Sequence, residues 1–259
     1  MKRLESTSRL IPSALIIILL LLWEGVTRGN LDLARMLPPP TEIIKTLFEN
    51  IGVLWQHSKI TLFEAMTGFV ISIVLAVLLA IIMDGIVFIK DALYSIIITS
   101  QTIPILVIAP LFIMWFGFGY LPKILIVILV CFFPITISLL EGLQSVDKEM
   151  LNLLKSMGAS KYQLYKLVKL PAALPNFFAG LKISGTYSIM GAIIGEWVGG
   201  KNGLGVYMMR VRHSFAIDKV FATIVIISLL SVLLIKIISI IEGKMMPWIQ
   251  FQKQKETEE

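Results

Sequence analysis

Apolar side chains fill long runs of this chain, and polar ones are largely confined to the segments between them. Residues 65–83, 92–116, 124–140 and 220–235 contain no charged side chain. Each run is near or above the roughly 17–25 residues that an α-helix needs to cross a bilayer. Residues 10–23 and 181–194 are shorter or weaker candidates. The pattern predicts an all-α integral membrane protein with a single domain over residues 1–259 and about six spans. These are placed near 10–26, 62–83, 92–116, 122–141, 181–198 and 219–241.

The connecting segments carry local signals of their own. Pro38, Pro39 and Pro40 favour an extended stretch because their backbone dihedrals are fixed. Thr41 is then expected to cap a short helix over 42–54, whose Glu42 and Glu49 suit the outer interface better than the hydrocarbon core. Asp84 and Gly85, with Lys90 and Asp91, mark a turn between the second and third spans, and Gly117, Gly119 and Pro122 mark the next. Pro104 and Pro110 both fall in the third span, where each removes a backbone donor and favours a bend.

Composition agrees with the pattern: 57% of residues are hydrophobic and 15% charged, which excludes an ordinary soluble domain. The net charge of +6 is read as lysine retained on the cytoplasmic side and not as a nucleic-acid footprint. Lys2, Arg3 and Arg9 precede the first span, and Lys148, Lys155, Lys161, Lys166, Lys169 and Lys182 crowd the segment after the fourth. Both are therefore expected in the cytoplasm, and with an even number of spans the tail bearing Lys244, Lys253 and Lys255 joins them. Arg28, Arg35, Lys45, Lys59, Lys201, Arg210, Arg212 and Lys219 run against this rule. The basic N-terminus and apolar 14–22 mimic a signal peptide, but Trp23, Glu24, Gly25 and Val26 offer no small-x-small cleavage site, so an uncleaved first helix is expected.

Catalytic and metal chemistry find little support. Cys131 is alone in a predicted span, which rules out an internal disulfide or a cysteine metal cluster. His57 and His213 are isolated outside the spans, with no metal-ligand spacing, and no nucleophile–base–acid grouping is present. Glu24 and Glu64 are read as interfacial. Residues 199–205 are glycine-rich but lack the order of a phosphate-binding loop.

Residues 145–175 are too polar to span and too well patterned for a slack linker. Asp147 is a plausible N-cap, and Val146, Met150, Leu153, Leu154 and Met157 recur at helical spacing. Gly158 supplies a left-handed stop. Ser160 and Gln163 then read as a capping box that opens a second short helix, with Lys161, Lys166 and Lys169 available to solvent or lipid headgroups. Pro171 and Pro175 are expected to end that helix before the fifth span. On this pattern alone, a helix lying on the membrane surface and a docking element both remain open.

Polar residues within the spans have two readings as well. Thr99, Gln101 and Thr102 precede Pro104; Thr186, Tyr187 and Met190 lie on the fifth span; Glu196 stands at its outer end. They line a translocation pathway, or they make ordinary interhelical hydrogen bonds, with Glu196 interfacial.

The order of residues 147–160, with Gly158, Ala159 and Ser160, followed by Leu170, Pro171, Ala172, Ala173, Leu174 and Pro175, resembles the EAA loop of binding-protein-dependent ABC importer permeases. Asn152, Leu153 and Leu154 occupy the Glu-Ala-Ala positions, so a charged contact through that glutamate has no counterpart here. Thr61, Gly68 and Phe69, then Gln101 to Pro104 through Pro110 and Trp115, and finally Gly195, Glu196 and Trp197 with Gly203 and Gly205, are similar to the branch serving nitrate, sulfonate, taurine, riboflavin and thiamine-pyrimidine precursors.

The resemblance implies a type I importer permease fold and a coupling helix formed by Met150, Asn152, Leu153, Leu154, Met157, Gly158, Ala159 and Ser160. It implies a second permease copy, a pair of ATP-binding cassette subunits that hold ATP and Mg, and an extracytoplasmic solute-binding protein, with no cofactor on this chain and no catalysis by it. An ion-coupled secondary transporter is the alternative; it should show charged groups at membrane depth, which the uncharged runs lack.

Overall fold

The computed structural model describes residues 2–248, with side chains from residue 14 onward apart from that of residue 31. Twelve α-helices follow one another among these residues: α1 (Lys2–Arg28), α2 (Leu31–Met36), α3 (Pro40–Glu49), α4 (Ile51–Gly85), α5 (Val87–Ser100), α6 (Ile105–Phe116), α7 (Tyr120–Gln144), α8 (Lys148–Ser156), α9 (Lys161–Leu164), α10 (Leu170–Gly199), α11 (Leu204–His213) and α12 (Ile217–Met245). A π-helical turn, Tyr165–Lys169, joins α9 to α10.

Four described helical stretches are long and apolar enough to cross a membrane: α4, α7, the run from α9 through α10, and α12. The pair α5 and α6 makes a fifth if counted together. The expected first span, 10–26, falls within α1, and its side chains before residue 14 lie outside the described residues. From Leu15 to Leu22 the side chains of α1 are exposed apolar groups, as a lipid-facing helix requires.

Small residues bring the central helices together. The most extensive contact joins α7 to α10, followed by α4 to α7. A Cβ on Gly142 would lie 2.9 Å from Ala173 Cα, and one on Gly195 would lie 3.1 Å from Lys123 Cα. Glycine at these crossings lets α7 and α10 approach backbone to backbone, the usual solution where lipid removes the hydrophobic drive for helices to associate. Ser184 Oγ donates to the Cys131 carbonyl at 3.0 Å and Cys131 Sγ donates back to the Ser184 carbonyl at 3.3 Å, which satisfies both groups inside the bundle. Around them Phe69, Val127, Ile135, Phe178 and Ile189 form the main core.

Three boundaries differ from the sequence reading. The short helix expected over 42–54 ends at Glu49, and α4 restarts at Ile51 as one rod of 35 residues. Asn50 Nδ2 donates to the Thr46 carbonyl at 2.8 Å and separates the two helices. Thr41 does not cap: Pro39 is the N-cap, Pro40 opens the helix with its fixed φ, and Thr41 Oγ1 donates to Glu24 instead.

The expected third span, 92–116, is broken between α5 and α6, whose axes turn by 100°. Pro104 is the N-cap of α6, whereas Pro110 is absorbed inside that helix. Pro171 and Pro175, expected as terminators, do not end the helix after Ser160. The π-helical turn widens the backbone just before Pro171 and accommodates its missing N–H, so the chain runs on into α10.

Candidate functional site

Local sequence builds the segment between α7 and α10 much as its pattern predicts. Asp147 caps α8 by accepting the Glu149 N–H at 2.9 Å. Gly158 takes a φ of +87°, where a side chain is strained, and Ala159 N–H reaches back to the Leu154 carbonyl at 3.0 Å. The Ser160–Gln163 capping box forms in both directions, at 2.8 and 3.3 Å.

Met150, Leu153 and Met157 lie at i, i+3 and i+7 and are 50, 63 and 75% exposed. Asn152 and Ser160 are also exposed, while Leu154 and Ala159 are partly covered. A short capped helix thus displays three large apolar side chains to its surroundings.

A second cluster occupies the opposite end of the bundle. Glu64 on α4, Lys123 on α7 and Glu196 on α10 are 0, 5 and 1% exposed. Lys123 Nζ pairs with Glu64 Oε1. Glu196 accepts from Thr61 Oγ1 and from the Gly205 N–H, each at 2.6 Å. The Leu204 N–H donates to Thr61 Oγ1 at 2.9 Å, and the Gly203 N–H to His57 Nδ1 at 3.0 Å.

Three successive donors at the start of α11 are therefore satisfied by side chains of α4 and α10, with a carboxylate at the positive end of the helix. Gly203 sits at φ +122°, and a Cβ there would overlap the Glu196 carboxylate. Gly203→Ala is expected to cost about 2 kcal/mol or more through strain and overlap, read as a drop in the melting temperature of the solubilised protein. An unchanged melting temperature would show that the loop does not hold α11 in this way.

The proline break opens a cavity of about 220 Å³ between α5, α6, α7 and α10. Gln101, Pro104, Phe133, Tyr187 and Met190 line it, and its lining contains no charged side chain. Thr99 and Thr102 line a separate shallow recess on the α5 side. Thr186 is exposed on α10, and its hydroxyl contacts the Lys182 carbonyl of its own helix. Of the sequence-level pathway candidates, the structure brings together Gln101, Tyr187 and Met190. Glu196 falls elsewhere, within the hydrogen-bonded cluster that anchors α11 and not at an interface.

Residues 68–247 match the family described as binding-protein-dependent transport system inner membrane component. The chain belongs to that family. It is therefore a multi-pass permease of an ABC importer and not an enzyme or an ion-coupled carrier, and solute-binding and ATPase partners come with the family.

The formylaminopyrimidine transport permease protein ThiX of Halalkalibacterium halodurans is 34% identical, over 96% of this chain and 98% of that protein. The riboflavin transport system permease protein RibX of Chloroflexus aurantiacus is 30% identical, over 96% of this chain and 93% of that one. The taurine transport system permease protein TauC of Escherichia coli is 29% identical, over 89% and 86%. Among solved structures, an inward-facing form of the methionine ABC transporter MetNI aligns with a TM-score of 0.57 at 20% identity, over 79% of this chain and 98% of that one. That likeness carries the permease fold.

Several residues of this permease escaped the sequence reading. Glu64, read as interfacial, is buried against Lys123, and His57, read as isolated, is 9% exposed and bonded to the Gly203 amide. The available signal was charge at the margins of apolar runs: Glu64 precedes the run 65–83 and Lys123 precedes 124–140.

Proposed function

We propose that this permease moves a neutral heteroaromatic solute, of the thiamine-pyrimidine-precursor class, into the cytoplasm. The cavity at the proline break carries the reading: Phe133 and Tyr187 offer aromatic surface, Gln101 offers one amide, and no basic side chain is present to balance a sulfonate or nitrate. An anion placed there would lose hydration without a counter-charge, which costs several kcal/mol. The kinship to a formylaminopyrimidine permease supports the same class.

In this reading two copies of the chain enclose the pathway and alternate its access, a pair of ATP-binding cassette subunits hydrolyses ATP with Mg, and an extracytoplasmic binding protein delivers the solute. This chain binds no cofactor itself. Both termini lie in the cytoplasm, on the side where Lys148, Lys155, Lys161 and Lys166 flank the exposed face of α8, and that face docks on the ATPase. The termini are addressed by cysteine labelling from either side of sealed vesicles.

The solute is tested by reconstituting the complex with its binding protein and measuring ATP-dependent uptake. A labelled aminopyrimidine is expected to accumulate, with unlabelled pyrimidine competing and taurine or an alkanesulfonate not competing. Gln101→Leu is expected to lower uptake about tenfold while leaving the assembly intact, because its amide, beside the hydroxyls of Ser100 and Tyr187, is a polar group that orients a ring there. Uptake of a sulfonate in place of the pyrimidine would overturn the assignment.

A further inference from the structure

Asp84 is the penultimate residue of α4, where the carbonyl end of a helix disfavours negative charge. Its side chain is nevertheless only 3% exposed. The carboxylate accepts from the Tyr165 hydroxyl, and its two oxygens accept from Lys169 Nζ at 2.9 and 2.7 Å. The Lys169 ammonium also stands 5.0 Å from the centre of the Tyr165 ring.

Tyr165 and Lys169 are the first and last residues of the π-helical turn. That turn lies between the capped start of α9 and Pro171, at the junction of the segment bearing α8 with the span α10. Such a turn holds one residue more than an α-helical turn; drawing that residue back would rotate the preceding helix by about 100° and shift it by about 1.5 Å. The angular register of α8 against α10 thus depends on whether the turn stays π-helical. Asp84 grips both ends of it.

We propose that Asp84, Tyr165 and Lys169 are positioning residues for energy coupling: they clamp the π-helical turn and fix the register through which α8 drives α10. The proposal rests on the reading that α8 docks on the ATPase, and it adds what lies between docking and the spans. The clamp belongs to α4, whose opposite half carries His57 and Thr61 against the start of α11 and Glu64 against Lys123 of α7. One rod of 35 residues therefore touches the coupling junction at one end and the loop before α11 at the other.

The test uses the full complex in proteoliposomes and reads three quantities: recovery of the ATP-binding subunits, ATP hydrolysis, and solute moved per ATP. Asp84→Asn and Lys169→Met are expected to retain the ATP-binding subunits and hydrolysis while solute moved per ATP falls about tenfold, the scale of one lost charge-assisted contact. Tyr165→Phe keeps the ring and loses the hydroxyl, and is expected to give a smaller fall of about threefold. Asp84→Glu, which keeps the charge, is expected to retain most of the coupling.

Unchanged solute per ATP in Asp84→Asn and Lys169→Met, with the complex intact, would overturn the clamp. So would parallel loss of subunit recovery and transport in all the variants, since that is what mere structural support predicts. Failure of the wild-type chain to retain ATP-binding subunits would instead remove the docking reading itself.

Discussion

Lys123→Met is expected to lower the melting temperature of the solubilised permease by about 10 °C, corresponding to a loss of about 3–5 kcal/mol. Methionine fills nearly the same volume, so packing changes little. The charge balance changes more. Lys123 is the ammonium that faces Glu64, and Glu196 lies within the same buried cluster. Removing it strands a carboxylate that is 0% exposed. Glu64 Oε2 already has no hydrogen-bond partner among the described residues, so that carboxylate has little local compensation to fall back on.

Glu64→Gln in the Lys123→Met background is expected to recover most of the loss, because the neutral amide needs no counter-charge. Thermal unfolding of the single and double variants measures the coupling directly. If the single variant melts with the wild type, the pair contributes nothing and the cluster is held by Thr61 and the α11 amides alone.

That cluster also marks where the sequence stops being readable. The elements around Gly158 were legible because each rests on contacts a few residues long: Asp147 to Glu149, Ser160 to Gln163, Ala159 to Leu154. The Lys123–Glu64 pair spans 59 residues and Glu196 to Thr61 spans 135, and no local pattern announces either. Hydropathy leaves Glu64 and Lys123 at the ends of the spans 62–83 and 122–141, where a charge reads as facing water, and it carries no sign of the partner that buries each.

Pro104 announced an interruption of the third span, but the 100° turn depends on how α5 and α6 pack against α4, α7 and α10. Pro171 was misread for a related reason. A proline terminates a regular α-helix, yet a π-helical turn ahead of it supplies the room that the ring needs, and what holds the turn is Asp84 from 81 residues earlier in the chain.

The two ends of the bundle pose different energetic problems. At the α11 end, charge is buried and compensated by the Gly205 amide, the Thr61 hydroxyl and one ammonium, which makes the arrangement intolerant of substitution. At the α8 end, large apolar side chains stand exposed on a helix with charged neighbours, an arrangement that gains stability only when something covers it.

Leu153→Asp combined with Met157→Asp is accordingly expected to reduce recovery of the ATP-binding subunits more than tenfold, roughly the loss of one strong anchor of about 2 kcal/mol. Leu153 and Met157 are 63 and 75% exposed, so the substitutions leave the permease fold and its melting temperature nearly unchanged. Asn152→Ala on the same helix is expected to change recovery by less than about twofold, since a neutral exposed amide makes at most a modest rim contact. The contrast separates two ways of holding a partner. A salt-bridged dock would respond to position 152 and to ionic strength, whereas an apolar dock responds to Leu153 and Met157 and is insensitive to salt. Should Asn152→Ala abolish recovery while the double aspartate variant retains it, the apolar face of α8 is not what the ATPase grips.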